Sequence, residues 1–270
     1  MARIDASYFD VGRLDRLARQ DTSVHRLDAR AKLLTTMAFL VAVVSFGKYE
    51  ISALLPFFLY PVALASAGRI PLGYLGLRLL AVTPFAILVG IFNPLLDREI
   101  LVRLGPLELS GGWVSFLSIQ LRFCLTVGTA LVLIATTSFQ GLCAALQRLG
   151  TPQVLTVQLL FLYRYIFVLG EEAVRLVRAR ALRTFGKKGL GMGVYGSLLG
   201  HLLLRTLDRA QRIHLAMRCR GFTGELRGRH GARLGARELA FGTGWGLAFL
   251  AFRLFDLPQL LGAAVTGLVG

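Results

Sequence analysis

The sequence predicts an all-α polytopic membrane protein, with about five to six transmembrane helices and a cytoplasmic domain of long amphipathic helices. Three observations carry that prediction. Of 270 residues, 55% are hydrophobic and only 17% charged, whereas ordinary soluble domains are about 25% charged. The charge is also one-sided, with 31 Lys+Arg against 15 Asp+Glu and a net of +16. Finally, apolar stretches of near-spanning length alternate with short polar segments, while most of the basic residues fall in two blocks. A chain both apolar and basic fits a membrane protein that keeps its positive charge on the cytoplasmic side, and fits a water-soluble enzyme poorly.

The first block is residues 1–32, an N-terminal segment with seven Lys+Arg and five aspartates. No apolar core precedes a small-residue cleavage site, so no secretory signal peptide is expected and the first membrane segment acts as the insertion signal. A span needs about 20 mainly apolar residues. The candidates are Leu33–Phe46, Ile51–Ala67, Leu79–Leu96, Trp113–Thr137, Pro152–Gly170, Leu239–Phe255 and the short Leu257–Gly270. The first two are short and read as a helical hairpin around Gly47–Glu50. Between the third and fourth, Asp97–Gly112 is a polar external loop, and the rough alternation over Ile100–Leu109 suggests a small β-hairpin within it.

Charge tests the count. Residues 171–237 hold 15 Lys+Arg and four acids, so this second block belongs on the cytoplasmic side with the N-terminus. Four spans over residues 33–138 return the chain to that side. Pro152–Gly170 is therefore read as non-spanning, lying along the interface or packed inside the subunit. Residues 139–237 then form the cytoplasmic region, and residues 238–270 supply one or two closing membrane segments.

Within the cytoplasmic region, Thr151-Pro152 has the form of a helix start, with an N-cap followed by proline at the first helical position. The helical pattern continues to about Thr184 and breaks at Phe185–Gly189. A second helix is predicted over about Ser197–Met217. Leu199, Leu203, Thr206, Ala210, Ile213 and Met217 recur at helical spacing and share one face, with Arg205, Arg209 and Arg212 opposite. Each helix leads to an arginine between small residues: Ala179-Arg180-Ala181 and Cys219-Arg220-Gly221.

Other motifs carry less. Gly191–Gly196 spells GxGxxG, but it follows a Gly/Lys turn rather than a strand, and no acid stands about 20 residues on. It reads as a turn between helices. Cys124, Cys143 and Cys219, like His25, His201, His214 and His230, are too scattered to predict a metal site. His214 reads as a packing or helix-end residue. Arg122, inside the fourth span, is a costly membrane charge of the kind that often marks function; snorkelling, or burial against a polar partner within the bundle, is favoured over a transport role. The small residues Gly242, Gly244, Gly246 and Ala248 suit close helix packing. No nucleic-acid partner is expected, because the basic block sits between membrane segments. Two other classes stay open on these residues: a membrane-embedded enzyme acting on a lipid-like substrate, and a self-sufficient permease. The first lacks an acidic metal-binding cluster, and the second lacks paired intramembrane charges or an internal repeat.

Several segments together resemble the transmembrane T component of energy-coupling factor (ECF) transporters, in the cobalt/nickel branch. They are His25–Leu34 before the first span, Asn93-Pro94, Thr136-Thr137-Ser138, and Tyr163-Arg164-Tyr165 followed by Glu171-Glu172. The most specific are the two tripeptides at 179–181 and 219–221, where the family has Ala-Arg-Ala or Ala-Arg-Gly; Cys219 departs from it as one small residue for another. The resemblance implies a non-catalytic energy-coupling subunit of an ABC-type importer in the bacterial cytoplasmic membrane, multi-pass, with its N-terminus cytoplasmic. It implies two ABC-type ATPase subunits as partners, with Arg180 and Arg220 each docking on one. A membrane-embedded substrate-capture (S) component and a small accessory membrane subunit complete the set. ATP and magnesium would be bound by the ATPases and no cofactor or metal by this chain, with cobalt, or nickel, as the cargo. Leu199, Leu203, Ala210, Ile213 and Met217 would be the packing stripe that passes movement on.

Overall fold

The computed structural model describes residues 17–96, 100–104, 107–183, 192–224 and 235–255. They form two compact units. The first is built from described residues 17–138 and 235–255, the second from 139–224.

The first unit is a helical bundle. Its first helix is α1, Ala29–Val44, and its N-cap Asp28 accepts from the Arg30 backbone N–H, one of the donors that a helix start leaves unpaired. At 16 residues α1 is roughly 24 Å long, short of a hydrocarbon core of about 30 Å. A 3-10 segment, Ser52–Phe58, holds Pro56 and leads into α2, Leu59–Ala67. Then come α3, Leu72–Gly90, and α4, Phe92–Leu96. A hairpin pairs β1, Ile100–Leu104, with β2, Leu107–Ser110, antiparallel, where the sequence alternation predicts one. The long α5, Gly111–Thr136, and α9, Ala236–Leu254, complete the unit.

Helix α3 begins seven residues before the predicted Leu79. Arg78 suggests a boundary by its charge, but its Nη2 donates to the Tyr74 hydroxyl at 3.3 Å and its guanidinium lies against the Tyr74 ring. The helix therefore carries the charge through its first turns.

The core of this unit is aromatic. Phe39, Phe57 and Tyr60 are fully buried. The Phe39 ring lies 5.0 Å from Tyr60 and 5.4 Å from Phe249, and Tyr60 lies 4.9 Å from Trp245. Tyr60 and Thr36 share a hydrogen bond of 3.2 Å between their hydroxyls, so the phenol is satisfied inside the cluster. Helix α5 packs on α1, α2, α3 and α4 with a face of small residues that includes Ser115, Ser118, Gly128 and Thr129, which lets helices approach closely. At Gly90 of α3 a Cβ would stand 2.9 Å from Phe116.

Cations close the ends of these helices. Arg122 of α5 donates through Nη2 to Phe46 O at 3.1 Å and to Gly47 O. Arg253 of α9 donates to Ser45 O at 3.3 Å. Both serve the C-terminal end of α1, so Arg122 finds its polar partner in backbone carbonyls. At the other end, Lys32 Nζ donates to Thr136 O at 2.8 Å and His25 Nε2 lies 3.4 Å from Ala135 O. The last carbonyls of α5 form the negative end of a helix dipole, and these side chains answer it. Asn93 Nδ2 donates to Ser115 Oγ at 2.8 Å, tying α4 to α5. Three of the sequence segments singled out above, around His25–Leu34, Asn93-Pro94 and Thr136–Ser138, thus meet their partners on this one helix.

The second unit has three helices: α6, Phe139–Arg148; α7, Gln153–Arg183; and α8, Met192–Cys219. Gly150, with φ +106°, ends α6, and Thr151 N–H returns to Leu146 O at 3.1 Å. Helix α7 runs unbroken for 31 residues, as far as the predicted helical pattern. Helix α8 begins at Met192 rather than near Ser197. Glycine predicts a break over 192–196, yet nothing stands within 4 Å of a Cβ at Gly193 or Gly196, and the helix simply includes them.

Among the described residues, three helical stretches are long and apolar enough to cross a membrane by length and composition: Leu72–Pro94, Gly111–Thr136 and Gln153–Arg183. The third contains the segment that charge reads as non-spanning; its apolar half and its charged half lie on one continuous helix. The Leu257–Gly270 segment lies outside the described residues.

Candidate functional site: two helix ends and the cleft between α7 and α8

Helices α7 and α8 meet at an ion pair. Arg205 Nη1 donates to Glu172 Oε1 at 2.8 Å, and Arg175 Nη2 lies 3.6 Å from the other Glu172 oxygen. The helical spacing puts Arg205 on the face away from the packing stripe, but the side chain reaches across to α7. Glu172 is half-buried beneath the two guanidiniums. Beside this pair opens a cleft of about 440 Å³, lined by Phe161 and Tyr165 of α7, by Arg209, Ile213 and Met217 of α8, and by Phe222. Ala210 and His214 also line it.

Along α8, Leu198, Leu202, Thr206, Arg209, Ile213 and Met217 are half-buried, while Leu199 and Leu203 are 64% and 59% exposed. Towards its N-terminus the predicted stripe thus turns out of the helix pair, and the adjacent residues Leu198 and Leu202 take the inner positions. Ile213 and Met217 stay on the inner face, whereas Ala210 is exposed at the edge of the cleft. No described residue of α8 is fully buried.

The two arginine tripeptides lie on separate arms that leave the ion pair. Ala179, Arg180 and Ala181 are exposed in the last turns of α7, with Arg180 roughly 12 Å along the helix from Glu172. Cys219, Arg220 and Gly221 are exposed at the end of α8, with Arg220 roughly 22 Å along from Arg205. This second end has a defined construction. Gly221 has φ +78°, its N–H bonds to Arg218 O at 3.0 Å, and Phe222 N–H bonds to Met217 O at 3.0 Å. That is the Schellman pattern, with glycine in the left-handed position and an apolar contact between the residues flanking it. The glycine is thus required to end the helix directly after Arg220, a role the tripeptide alone does not reveal. Among the described residues no group of three His, Cys, Asp or Glu converges to hold a metal ion.

Comparison with known proteins places the chain. A family model described as CbiQ, cobalt transport protein, matches residues 20–230. The chain belongs to the CbiQ family. The match spans α1 to the end of α8 and bears out the resemblance to T components of ECF transporters in the cobalt/nickel branch. Among relatives, the energy-coupling factor transporter transmembrane protein EcfT of Bacillus subtilis is 28% identical over 216 residues, covering 74% of this chain and 81% of that protein. The cobalt transport protein CbiQ of Salmonella typhimurium is 32% identical over 106 residues, 38% of this chain and 47% of that protein. The nickel permease LarQ of Lactiplantibacillus plantarum is 31% identical over 113 residues, 42% and 41% of the two chains. The family and the apolar helices make this a membrane transport component rather than a catalyst.

Proposed function

We propose that this chain is the energy-coupling subunit of an ABC-type ECF importer, linking two cytoplasmic ATPase subunits to a membrane-embedded S component that captures cobalt, or nickel. The observation that carries the reading is the pair of exposed arginines on two separate helix ends, Arg180 and Arg220. Arginine suits such docking better than lysine, because its guanidinium stays charged and presents a rigid fork of donors to carboxylates and carbonyls at an interface. The flanking Ala179, Ala181 and Cys219 are small enough to let a partner's surface close over each fork.

In this mechanism each ATPase holds one arm. ATP and magnesium, bound by the ATPases, drive closure of their dimer, and closure moves the ends of α7 and α8. The Glu172–Arg205 pair is the fulcrum, so displacement of the arms becomes a change of angle between two long helices. The outward leucines Leu199 and Leu203 deliver that change to the S component, and a small accessory membrane subunit completes the assembly. The subunit sits as a multi-pass protein in the bacterial cytoplasmic membrane, with its N-terminus and second unit on the cytoplasmic side.

Affinity purification of the tagged chain from native membranes, with mass spectrometry of its partners, tests the reading. We expect recovery of an ABC-type ATPase and a small multi-span protein. The Arg180→Ala/Arg220→Ala variant should lose the ATPase while keeping the membrane partner. Normal ATPase recovery and metal uptake in that variant would show the docking assignment to be wrong.

A further inference from the structure

We propose that the cleft between α7 and α8 binds one anionic phospholipid, with its phosphate on Arg209 and an acyl chain among Phe161, Tyr165, Ile213 and Met217. The first support is the position of the cleft along the chain. Its α7 wall belongs to the apolar stretch that ends at Gly170, and the next residues are Glu171 and Glu172, with Arg175 one turn on. Along the cleft α8 carries Arg205, Arg209 and Arg212, so an apolar helix face meets a basic one there, as an amphipathic anion requires.

The second support is charge. Glu172 also attracts Arg209, but it already accepts from Arg205 at 2.8 Å and has Arg175 at 3.6 Å, so one carboxylate faces three guanidiniums. Arg209 is half-buried on the cleft wall, and no salt bridge or hydrogen bond of its side chain to a described residue is present. A half-buried guanidinium facing an apolar cavity calls for an anion, and its fork matches phosphate oxygens. Thr206, its neighbour on the wall, turns its hydroxyl back to Leu203 O at 2.8 Å, so Arg209 and His214 are the polar side chains that α8 leaves to the cleft.

The third support is composition. A cavity of about 440 Å³ lies within the roughly 300–1,000 Å³ range of ligand sites, which are mostly apolar with a few polar groups fixing orientation. Basic pockets between membrane helices are a recurrent setting for anionic headgroups, and the surrounding residues 171–237 carry 15 Lys+Arg against four acids. An occupant also braces the end of α8, because Met217 and Phe222, which close the Schellman turn around Gly221, both face the cleft.

Native mass spectrometry of the full-length protein in neutral detergent tests the proposal, with phosphatidylglycerol and phosphatidylcholine of identical chains supplied in competition. One phosphatidylglycerol should be retained with about tenfold preference, the order of one charge-assisted pair. Arg209→Gln should abolish the preference. Ile213→Trp, which fills the cleft, should release both lipids, whereas Leu204→Trp on the exposed side of α8 should release neither. Ala210→Trp replaces Ile213→Trp if that variant does not elute as a single folded species. Absence of preference in the unmodified protein, or preference that survives Arg209→Gln, overturns the proposal. Loss of retention in the Trp variants without any charge preference also overturns it, and identifies the cleft as an apolar seat that does not select the anionic headgroup.

Discussion

The two units bury their side chains in opposite ways. In the bundle, Phe39, Phe57, Tyr60, Leu54 and Leu125 are completely enclosed, and buried Lys32 and half-buried Arg122 close helix ends. In the α6–α8 unit, the described residues that are fully buried are Cys143, Ala145, Thr156 and Val157, and α8 contributes none. Leu199, Leu203, Leu204, Leu207 and Leu215 of α8 are all more than half exposed, although each would favour burial by about 1.5–3 kcal/mol. A bundle that satisfies itself is a scaffold. A helix pair joined by one ion-paired contact and lined outside with leucine is built to be completed by something else.

The largest expected effect breaks this contrast directly. Phe57→Ala removes a ring packed on Phe39, Phe46, Phe249 and Phe252, and should cost about 3–5 kcal/mol of bundle stability. Leu203→Ala, on the open side of α8, should change the stability of the isolated protein by less than about 0.5 kcal/mol. Denaturant titration in detergent, followed by near-ultraviolet circular dichroism, measures both. In the assembled transporter the order should reverse for partner recovery: Leu203→Ala weakens it if the exposed leucines are a partner surface. Equal destabilisation of the isolated protein by the two substitutions would mean that α8 is buried within the chain itself.

A middle-sized effect concerns the cation that closes α5. Lys32 is buried and donates to Thr136 O. Lys32→Met keeps the length of the side chain but leaves the last carbonyls of α5 without that donor. Burial works against the Lys32 charge and pushes its pKa down to about 8, so relieved desolvation offsets part of the loss, but the Thr136 carbonyl is left without its donor and a net loss of about 1 kcal/mol is expected. His25, at 3.4 Å from Ala135 O, is the weaker partner, and His25→Ala should cost less. A melting temperature unchanged by Lys32→Met would assign Lys32 a role outside the fold.

How much of this was legible in the sequence depends on what kind of force acts. The helices could be read because hydrophobic periodicity and apolar length are local properties, and so could the β1–β2 hairpin, from its alternation. Boundaries that depend on tertiary partners could not. Arg78 looks like the end of a span until Tyr74 is seen to accept its guanidinium. The 192–196 glycines look like a turn until the open space around them is seen. The charge of Arg122 leaves snorkelling and burial against a partner equally open, and backbone carbonyls carry no signature, so Phe46 and Gly47 are invisible in the sequence. The α8 stripe is legible in period but not in phase at Leu199 and Leu203, because a regular repeat does not say which neighbouring row of residues the facing helix selects. The Glu172–Arg205 pair, 33 residues apart, had no local signal beyond a carboxylate beside a run of arginines.

The smallest expected effects compare the same device in the two units. Helix α8 ends on Gly221 in the left-handed region at φ +78°, and α2 ends on Arg69 in the same region at φ +51°. Both ends return an N–H five residues back, Phe222 to Met217 O and Ile70 to Ala65 O at 2.9 Å. Glycine adopts this conformation freely, while any other residue is strained by its Cβ. Gly221→Ala should therefore loosen the turn by about 1 kcal/mol, lowering ATPase recovery if Arg220 docks there, with no change in the melting of the bundle. Arg69→Gly should run the other way. It relieves strain in the bundle but gains freedom in the unfolded chain, so the net stabilisation is only about 0.5 kcal/mol. Ile70, buried at 5% exposure, anchors the turn whichever residue precedes it. The neighbouring Gly68 is not interchangeable with Arg69, because a Cβ there would stand 2.9 Å from Leu64 O. Differential scanning of Arg69→Gly against Gly68→Ala separates the two requirements: the first should raise the melting temperature slightly and the second should lower it. A fall with both would mean that the Arg69 side chain itself holds the end of α2.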